Sequence, residues 1–235
     1  MEKILSFLID IYDKNIHQVQ IFSFLRKIDI KIIFDVGAHK GEFLKSIKKL
    51  ENYEKIYSFE PQKKIYEENR QLNEKYKISY LNLAISDYSG LKTLKINKKS
   101  STSTFSEINS SSTWYKIKSL LISGNTKTSF ISEEEVKTIT LDDFCLENKV
   151  ENIDLLKIDT EGHEKEVLAG ANNLFSKKKV KYILIEFHSS KMYKNYDKIY
   201  IENLLFKNNF ILLKKFKFPF LAFEDRLYRN NDFLG

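Results

Sequence analysis

Cysteine, proline and glycine are scarce in this chain of 235 residues, and each shortage excludes a class of protein. The single cysteine, Cys145, excludes an internal disulfide framework and every zinc site built from several cysteines, so we expect a reducing compartment. Two prolines and seven glycines exclude collagen-like and proline-rich architectures. No stretch approaches the roughly 18 apolar residues of a membrane span, and the first residues, MEKILSFLIDIYDK, lack a small-residue cleavage site. We therefore expect a soluble, cytoplasmic protein without a membrane span.

The charge balance is basic but dispersed. Lysine and arginine number 39 against 32 acidic residues, which gives a formal net charge of +7. The lysines are spread along the chain and alternate with Glu and Asp, which is typical of a solvated surface. We therefore do not expect a nucleic-acid partner, although the basic balance keeps RNA as an alternative. The length suits one sizeable core and is short for two enzyme domains.

Short apolar strands alternate along the chain with amphipathic helices, a pattern that predicts a parallel sheet covered on both faces. Residues 31–43 are predicted to run from a buried strand through a glycine-containing turn into a helix start, and residues 136–145 from a strand into a helix start. The other predicted strands lie at 55–61, 78–86, 91–97, 153–159, 180–187, 210–216 and 221–228. The predicted helices lie at 2–13, 16–27, 43–50, 63–76, 163–175 and 193–208.

Two segments depart from this alternation. Residues 98–135 are rich in Ser and Thr and show no steady period, so we predict an insertion or mobile flap within one domain of residues 31–235. Residues 1–30 precede the first strand and are predicted to form a helical segment packed on the core.

Ligands of such sheets bind at the carboxyl ends of the strands, where this sequence carries glycines and carboxylates. The turn Asp35-x-Gly37-x-x-x-Gly41 closes the first strand, and its glycines let backbone approach a ligand. His39 stands where the second glycine of the dinucleotide fingerprint would be, which disfavours NAD. Glu60 follows Gly41 by 19 residues, a position suited to gripping both hydroxyls of a ribose. Together these features favour an adenosine ligand without a pyrophosphate.

Several sequence blocks resemble the FkbM family of S-adenosylmethionine-dependent methyltransferases. They are DVGAHKG, FEP, NLAISD, IDLLKIDTEGHEKEVLAGA and ILIEFH, and the similarity spans about residues 31–188. KIDTEGHE with its trailing L-x-G-A is the specific part. The resemblance implies an α/β, Rossmann-like class I methyltransferase fold with a mostly parallel seven-stranded sheet, helices on both faces, and S-adenosylmethionine as cofactor.

The resemblance also implies roles for individual residues. The turn from Asp35 to Gly41, which includes Gly37 and His39, would hold the methionine part of the cofactor, with Asp35 near the ammonium. Glu60 would bind the ribose. Residues 84–87 would line the adenine pocket through Ala84, Ser86 and Asp87. The Asp87 carboxylate would accept a hydrogen bond from the adenine amino group. Asp159 would end the fourth strand beside the sulfonium.

The acceptor side offers several candidate bases, because an alcohol is a poor nucleophile that benefits from one. His188, just past the fifth strand, is our preferred base, with His39 and His163 as weaker candidates. Asp159 and Glu161 are the competing bases. These two carboxylates could also hold a hard metal ion, but no third ligand is evident and we predict no metal site.

The expected activity is methyl transfer to a hydroxyl oxygen of a small molecule or glycan, such as a bacterial surface sugar or its nucleotide-linked precursor. Neither a D/N-P-P-Y motif nor a Pro-Cys nucleophile is present, since Phe144 precedes Cys145. This disfavours methylation of nucleic-acid bases. The alternatives are an RNA or protein methyltransferase, a NAD-dependent oxidoreductase, and a non-catalytic cofactor-binding module.

Overall fold

The computed structural model describes residues 16–50, 52–74, 77–98, 100–109, 111–112, 130–188, 192–217 and 223–233. The strands are β1 (Ile32–Val36), β2 (Lys55–Phe59), β3 (Ile78–Leu81), β4 (Ala84–Ile85), β5 (Gly90–Asn97), β6 (Phe130–Ile139), β7 (Ile153–Ile158), β8 (Val180–His188), β9 (Phe210–Lys217) and β10 (Phe223–Asn230). The α-helices are α1 (Gln18–Leu25), α2 (Glu42–Ile47), α3 (Lys63–Asn69), α4 (Leu141–Glu147), α5 (Glu164–Ala169), α6 (Asn172–Ser176) and α7 (Lys198–Lys207).

Seven strands form the main sheet, in the order β3-β2-β1-β7-β8-β10-β9. The neighbours from β3 to β8 are parallel, whereas β10 runs antiparallel to both β8 and β9. The chain builds the sheet outward from β1 and then returns to add β7 on the other side of β1. The carboxyl ends of β1 and β7 therefore meet at the switch point, where open α/β sheets bind ligands. The predicted α/β, mostly parallel seven-stranded sheet is confirmed.

Helices cover both faces of this sheet, because alternate residues of each buried strand point to opposite sides. In β1, Phe34 belongs to the core that packs against α4, α5, α6 and α7, while Ile33 belongs to the core that packs against α1 and α2. Leu156 and Leu155 divide in the same way in β7. These continuous apolar runs explain why the central strands were readable from the sequence.

A second, three-stranded sheet corrects the prediction for the middle of the chain. Its order is β4-β6-β5, so the predicted strand 78–86 is in fact two strands in different sheets. β6 begins at Phe130, inside the predicted insertion 98–135. The first half of β6 is exposed and acidic, and it pairs with the lysine-bearing β5, as at Lys95 opposite Glu133. This half therefore lacks the alternation of apolar and polar residues by which a strand is predicted. Asn97 and Phe130 are paired, which brings the two ends of residues 98–129 together.

The N-terminal segment is described from residue 16 onward, and the predicted helix 2–13 lies outside the described residues. Within the segment, Ile21 and Leu25 of α1 are buried against the sheet. The predicted helix 163–175 is in fact two helices, α5 and α6. The predicted helix 193–208 begins only at Lys198, where the Asp197 side chain caps α7 by accepting a hydrogen bond from the Tyr200 N–H. No helix among the described residues has the length and apolar character needed to cross a membrane.

Candidate functional site

A cavity lies at the carboxyl ends of β1, β2 and β7. Seven of the predicted site residues line it: Gly37, His39, Glu60, Ala84, Asp159, Glu161 and the weaker candidate base His163. The other five, Asp35, Gly41, Ser86, Asp87 and His188, do not belong to its wall.

Gly37 sits where the ends of β1, β2 and β7 converge. Its φ is +86°, and a Cβ at this position would lie 1.8 Å from the Asp159 carbonyl oxygen. The Gly37 and Ala38 N–H groups donate to the Phe59 carbonyl at 3.1 and 2.9 Å. The turn is therefore held by β2 on one side and touches the β7 end on the other, so only glycine fits.

Glu60 is a buried carboxyl group in the cavity wall, 2% exposed. One of its oxygens accepts from the His39 N–H and the other from the Gln62 N–H, each at 2.8 Å. Burial raises the pKa of Glu60 to about 7, against the lowering effect of these hydrogen bonds. Glu60 thus joins the turn after β1 to the loop after β2 and offers the cavity its remaining acceptor capacity.

Asp35 has an ionic partner on the neighbouring strand β7. Its side chain is wholly buried, and its Oδ1 lies 3.2 Å from Lys157 Nζ, which also lies 3.3 Å from Asp159 Oδ2. Burial raises the pKa of Asp35, and the Lys157 ammonium opposes that rise. Burial would lower the pKa of Lys157, but the two carboxylates raise it, so the lysine stays charged. The structure gives Asp35 the ammonium of Lys157 as its partner, a residue to which the sequence analysis gave no role, and the predicted contact with a cofactor ammonium stays a prediction.

Asp159 is the one carboxylate of this ionic group that faces the cavity, with 39% of its side chain exposed. Burial of the remainder acts to raise its pKa, but Lys157 holds the pKa well below the usual range of an aspartate. Lys157 therefore favours the ionised form of Asp159 in the cavity wall.

Ser86 and Asp87 lie behind the wall near Ala84. The Ser86 hydroxyl is fully buried, donates to Asp87 Oδ1 at 2.9 Å and contacts His163 Nε2 at 3.0 Å. His163 does line the cavity, and burial together with Lys92 puts its pKa well below the ordinary value. The structure therefore places a neutral imidazole between the cavity and the predicted adenine-binding pair. Gly41 lies at the start of α2 and outside the wall.

The turn that follows β7 is organised by Glu164, which is wholly buried. Its Oε1 accepts from the Thr160 N–H and hydroxyl, both at 3.0 Å, and from the Gly162 N–H at 3.1 Å. These bonds hold Glu161 in a left-handed conformation, φ +53°, with its side chain in the cavity wall and bonded to the Tyr193 hydroxyl. The repeated glutamate in TEGHE was the available signal for this role, which the sequence analysis missed.

The first residues of the predicted insertion form one wall of the cavity. The Ser100 hydroxyl contacts His39 Nε2 at 2.8 Å, and the Ser100 carbonyl accepts from Gln62 at 3.0 Å. On the other side, Thr104 and Ser106 donate to the carbonyls of residues 161 and 162, both at 2.6 Å. This part of the insertion is bonded to both sides of the cavity, whereas residues 113–129 lie outside the described residues.

His188, our preferred base, is buried and does not belong to the cavity wall, and its role as the base stays a prediction. It is 2% exposed, and its Nε2 lies 3.6 Å from Glu164 Oε1 and 3.8 Å from Glu186 Oε2. The rings of Tyr193 and Tyr196 pack edge-on against the imidazole. Within the described part of the chain, no group of three or more His, Cys, Asp or Glu side chains is arranged to hold a metal ion.

Comparison with solved structures supports the fold. A methyltransferase FkbM from Methylobacillus flagellatus superimposes with a TM-score of 0.52 at 13% identity, over 86% of this chain and 43% of that one. This chain thus spans less than half of that protein. A SAM-dependent methyltransferase from Leishmania major gives a TM-score of 0.46 at 13% identity, over 91% and 72% of the two chains. Magnesium protoporphyrin IX methyltransferase from Synechocystis, solved with bound SAM, gives a TM-score of 0.43 at 10% identity, over 98% and 79% of the two chains.

No curated protein matches the sequence. The model of the methyltransferase FkbM domain, however, matches residues 35–214, which is more than half of the chain. The match extends from the end of β1 to β9 and so includes every cavity-lining residue named above. The chain therefore belongs to the FkbM family of methyltransferases.

Proposed function

We propose that the protein transfers a methyl group from S-adenosylmethionine to a hydroxyl oxygen of a small molecule or glycan. The observation that carries this proposal is the composition of one cavity wall, in which the Gly37 turn, the buried Glu60 carboxyl group and the ionised Asp159 meet. Family membership supports methyl transfer. The hydroxyl acceptor is supported by the carboxylates that face the cavity.

The residues present fit this cofactor. Gly37 lines the cavity, and Glu60 has the acceptor capacity to bind a ribose diol. Gly37 and His39 would contact the methionine part, and Ala84 and Phe105 supply apolar walls for the adenine. When bound, S-adenosylmethionine supplies an electrophilic methyl group on a positively charged sulfur.

Asp159 is the residue best placed to serve the acceptor. Its carboxylate can accept a hydrogen bond from the acceptor hydroxyl and thereby orient the oxygen, which is the main requirement of methyl transfer. The new oxygen–carbon bond would form as the carbon–sulfur bond breaks and its electron pair stays on sulfur, and Asp159 would receive the hydroxyl proton. Glu161, held by Tyr193, is a second hydrogen-bond acceptor in the same wall. A sugar, which offers several adjacent hydroxyls, matches this pair of carboxylates.

The test combines cofactor binding with product analysis. S-adenosylhomocysteine should raise the melting temperature, whereas NAD should not, because a ligand stabilises only the protein that binds it. Glu60→Ala should weaken binding of S-adenosylhomocysteine by roughly ten- to hundred-fold in calorimetry, and the exposed Glu67→Ala is the matched control.

Labelled methyl groups from S-adenosylmethionine should then be offered to sugars, nucleotide-linked sugars, RNA and protein. The proposal expects a methyl ether on a sugar hydroxyl. Label that enters only RNA or protein, or an absence of binding to S-adenosylhomocysteine, contradicts it.

A further inference from the structure

Lys157 is a buried lysine whose ammonium joins the interior of the sheet to the cavity wall. The β1–β7 register pairs it with Asp35, so these two residues lie side by side. Lys157 Nζ lies 3.2 Å from Asp35 Oδ1 and 3.3 Å from Asp159 Oδ2, and 10% of the lysine side chain is exposed. Asp35 is wholly buried, whereas Asp159 lines the cavity. One cation therefore connects a carboxyl group in the interior to a carboxyl group that a ligand can reach.

The surroundings of Lys157 restrict where its ammonium can lie. A lysine stem is flexible on a surface, but here Asp35 holds the ammonium from β1, and the ring of Phe43 on α2 lies 5.5 Å from Nζ. Among the residues that the structure describes, Lys157 is the only cation that forms an ion pair with either carboxyl group. The ammonium is thus a fixed donor to one oxygen of Asp159.

Other ionisable groups act on this cluster from the elements packed against it. They are Glu42 on α2, Glu186 and His188 on β8, and Asp225 on β10, whose carboxylate is bonded to His17 at 2.7 Å. Neighbouring carboxylates disfavour a further negative charge, whereas an ammonium within about 4–6 Å favours it. Lys157, at 3.3 Å, is therefore the group that keeps Asp159 ionised.

We propose that Lys157 is a positioning residue, whose ammonium, held by Asp35, keeps the Asp159 carboxylate ionised and oriented toward the acceptor hydroxyl. This inference rests on the proposed function. A carboxylate stabilised in this way is a weak base, but the acceptor hydroxyl becomes acidic as its oxygen bonds to the methyl carbon. In that step the carbon–sulfur bonding pair stays on sulfur and the hydroxyl proton moves to Asp159. Lys157 keeps its own protons and favours the later release of that proton to solvent, because the ammonium attracts the ionised carboxylate.

Two variants that differ only at position 157 test this role. Asp35→Asn keeps the ammonium beside Asp159, whereas Asp35→Asn combined with Lys157→Met removes it and leaves no unpaired Asp35. With the sugar acceptor identified by labelling, kcat of the double variant should be about tenfold or more below that of Asp35→Asn, as expected for the loss of a hydrogen bond to a charged group.

The controls separate positioning from stability and from cofactor binding. Calorimetric affinity for S-adenosylhomocysteine should be the same in the two variants, and Lys64→Met, which removes an exposed pair with Glu68, should leave kcat at the parent value. Equal kcat values in Asp35→Asn and the double variant would show that Lys157 only stabilises the fold, and would overturn the inference.

Carbon-13 NMR of the carboxyl groups gives a readout that needs no acceptor. In the parent protein the Asp159 resonance, assigned by its absence in Asp159→Asn, should give a pKa below the ordinary aspartate value of 3.8. In the double variant this pKa should be about one to three higher than in Asp35→Asn. A parent Asp159 with a pKa of 3.8 or above overturns the inference even if sugar methylation is found. If the pKa is low and no hydroxyl is methylated, the effect of Lys157 on Asp159 stands and the proposed function alone fails.

Discussion

The buried Asp35–Lys157 ion pair gives a sharp prediction about stability. Lys157→Met keeps a side chain of similar length but leaves Asp35, which is 0% exposed, without the cation that lies 3.2 Å away. Removing one partner of a buried pair typically costs about 3–5 kcal/mol, because the remaining charge is left uncompensated. For a chain of this size, about 1 kcal/mol corresponds to roughly 2–4 °C in Tm, so Tm should fall by roughly 6–20 °C.

The pH dependence of this loss has a definite sign. In the parent protein the pKa of Lys157 is raised, so its stabilising contribution is fully present below the ordinary lysine value of 10.5 and is lost only as pH rises above it. In the variant the pKa of Asp35 stays above the unfolded value of 3.8, so the folded state binds the extra proton and stability falls as pH rises. The difference between parent and variant should therefore be larger at pH 8 than at pH 4.

Denaturant unfolding at the two pH values is the assay, with two further variants. Lys64→Met removes an exposed pair with Glu68 and should cost less than about 1 kcal/mol. The double variant Asp35→Asn, Lys157→Met leaves no unpaired charge from this pair and should recover much of the lost stability. The reasoning is refuted if Lys157→Met is no more harmful than Lys64→Met, or if the double variant is less stable than the single one.

Three further predictions concern the cavity. Gly37→Ala should abolish binding of S-adenosylhomocysteine in calorimetry, because the new Cβ would lie 1.8 Å from the Asp159 carbonyl oxygen. Gly90→Ala is the control and should bind normally, because its new Cβ would meet only ring carbons of Tyr88 at 3.4 Å. Affinity for S-adenosylhomocysteine should rise between pH 6 and 8, because Glu60, with a pKa of about 7, loses its proton in this range and can then only accept hydrogen bonds. An equally steep rise in affinity in the Glu60→Gln variant would show that another group causes the pH dependence. The Thr104 N–H donates to the β5 backbone at 3.1 Å, so this amide should be protected in hydrogen exchange. Fast exchange at Thr104 would instead support the predicted mobile flap from its first residues onward.

The sequence predicted the central sheet well because its strands are buried on both faces and read as apolar runs. It predicted the Gly37 turn and Glu60 because their positions follow from the strand ends. The second sheet was missed because half of β6 is exposed and acidic, so its pairing with β5 is set by cross-strand charge and not by apolar alternation.

The sequence could not predict which strand-end side chains face the cavity. Asp35 and Lys157 lie side by side only because of the β1–β7 register, which pairs residues 122 positions apart. His188 was placed at the correct edge of the sheet, but its exposure depends on Tyr193 and Tyr196 folding back over it. Both outcomes depend on tertiary packing that no local pattern contains.

The pairing of Asn97 with Phe130 has a consequence for the length of the chain between them. Because β5 and β6 pair at Asn97 and Phe130, the ends of the chain between them are held together. Doubling the number of residues between Ser112 and Phe130 should therefore add only about 0.6 kcal/mol of closure cost. The cavity wall at residues 100–106 is secured separately by its own hydrogen bonds. We therefore expect that exchanging residues 113–129 leaves the cavity wall at residues 100–106 in place.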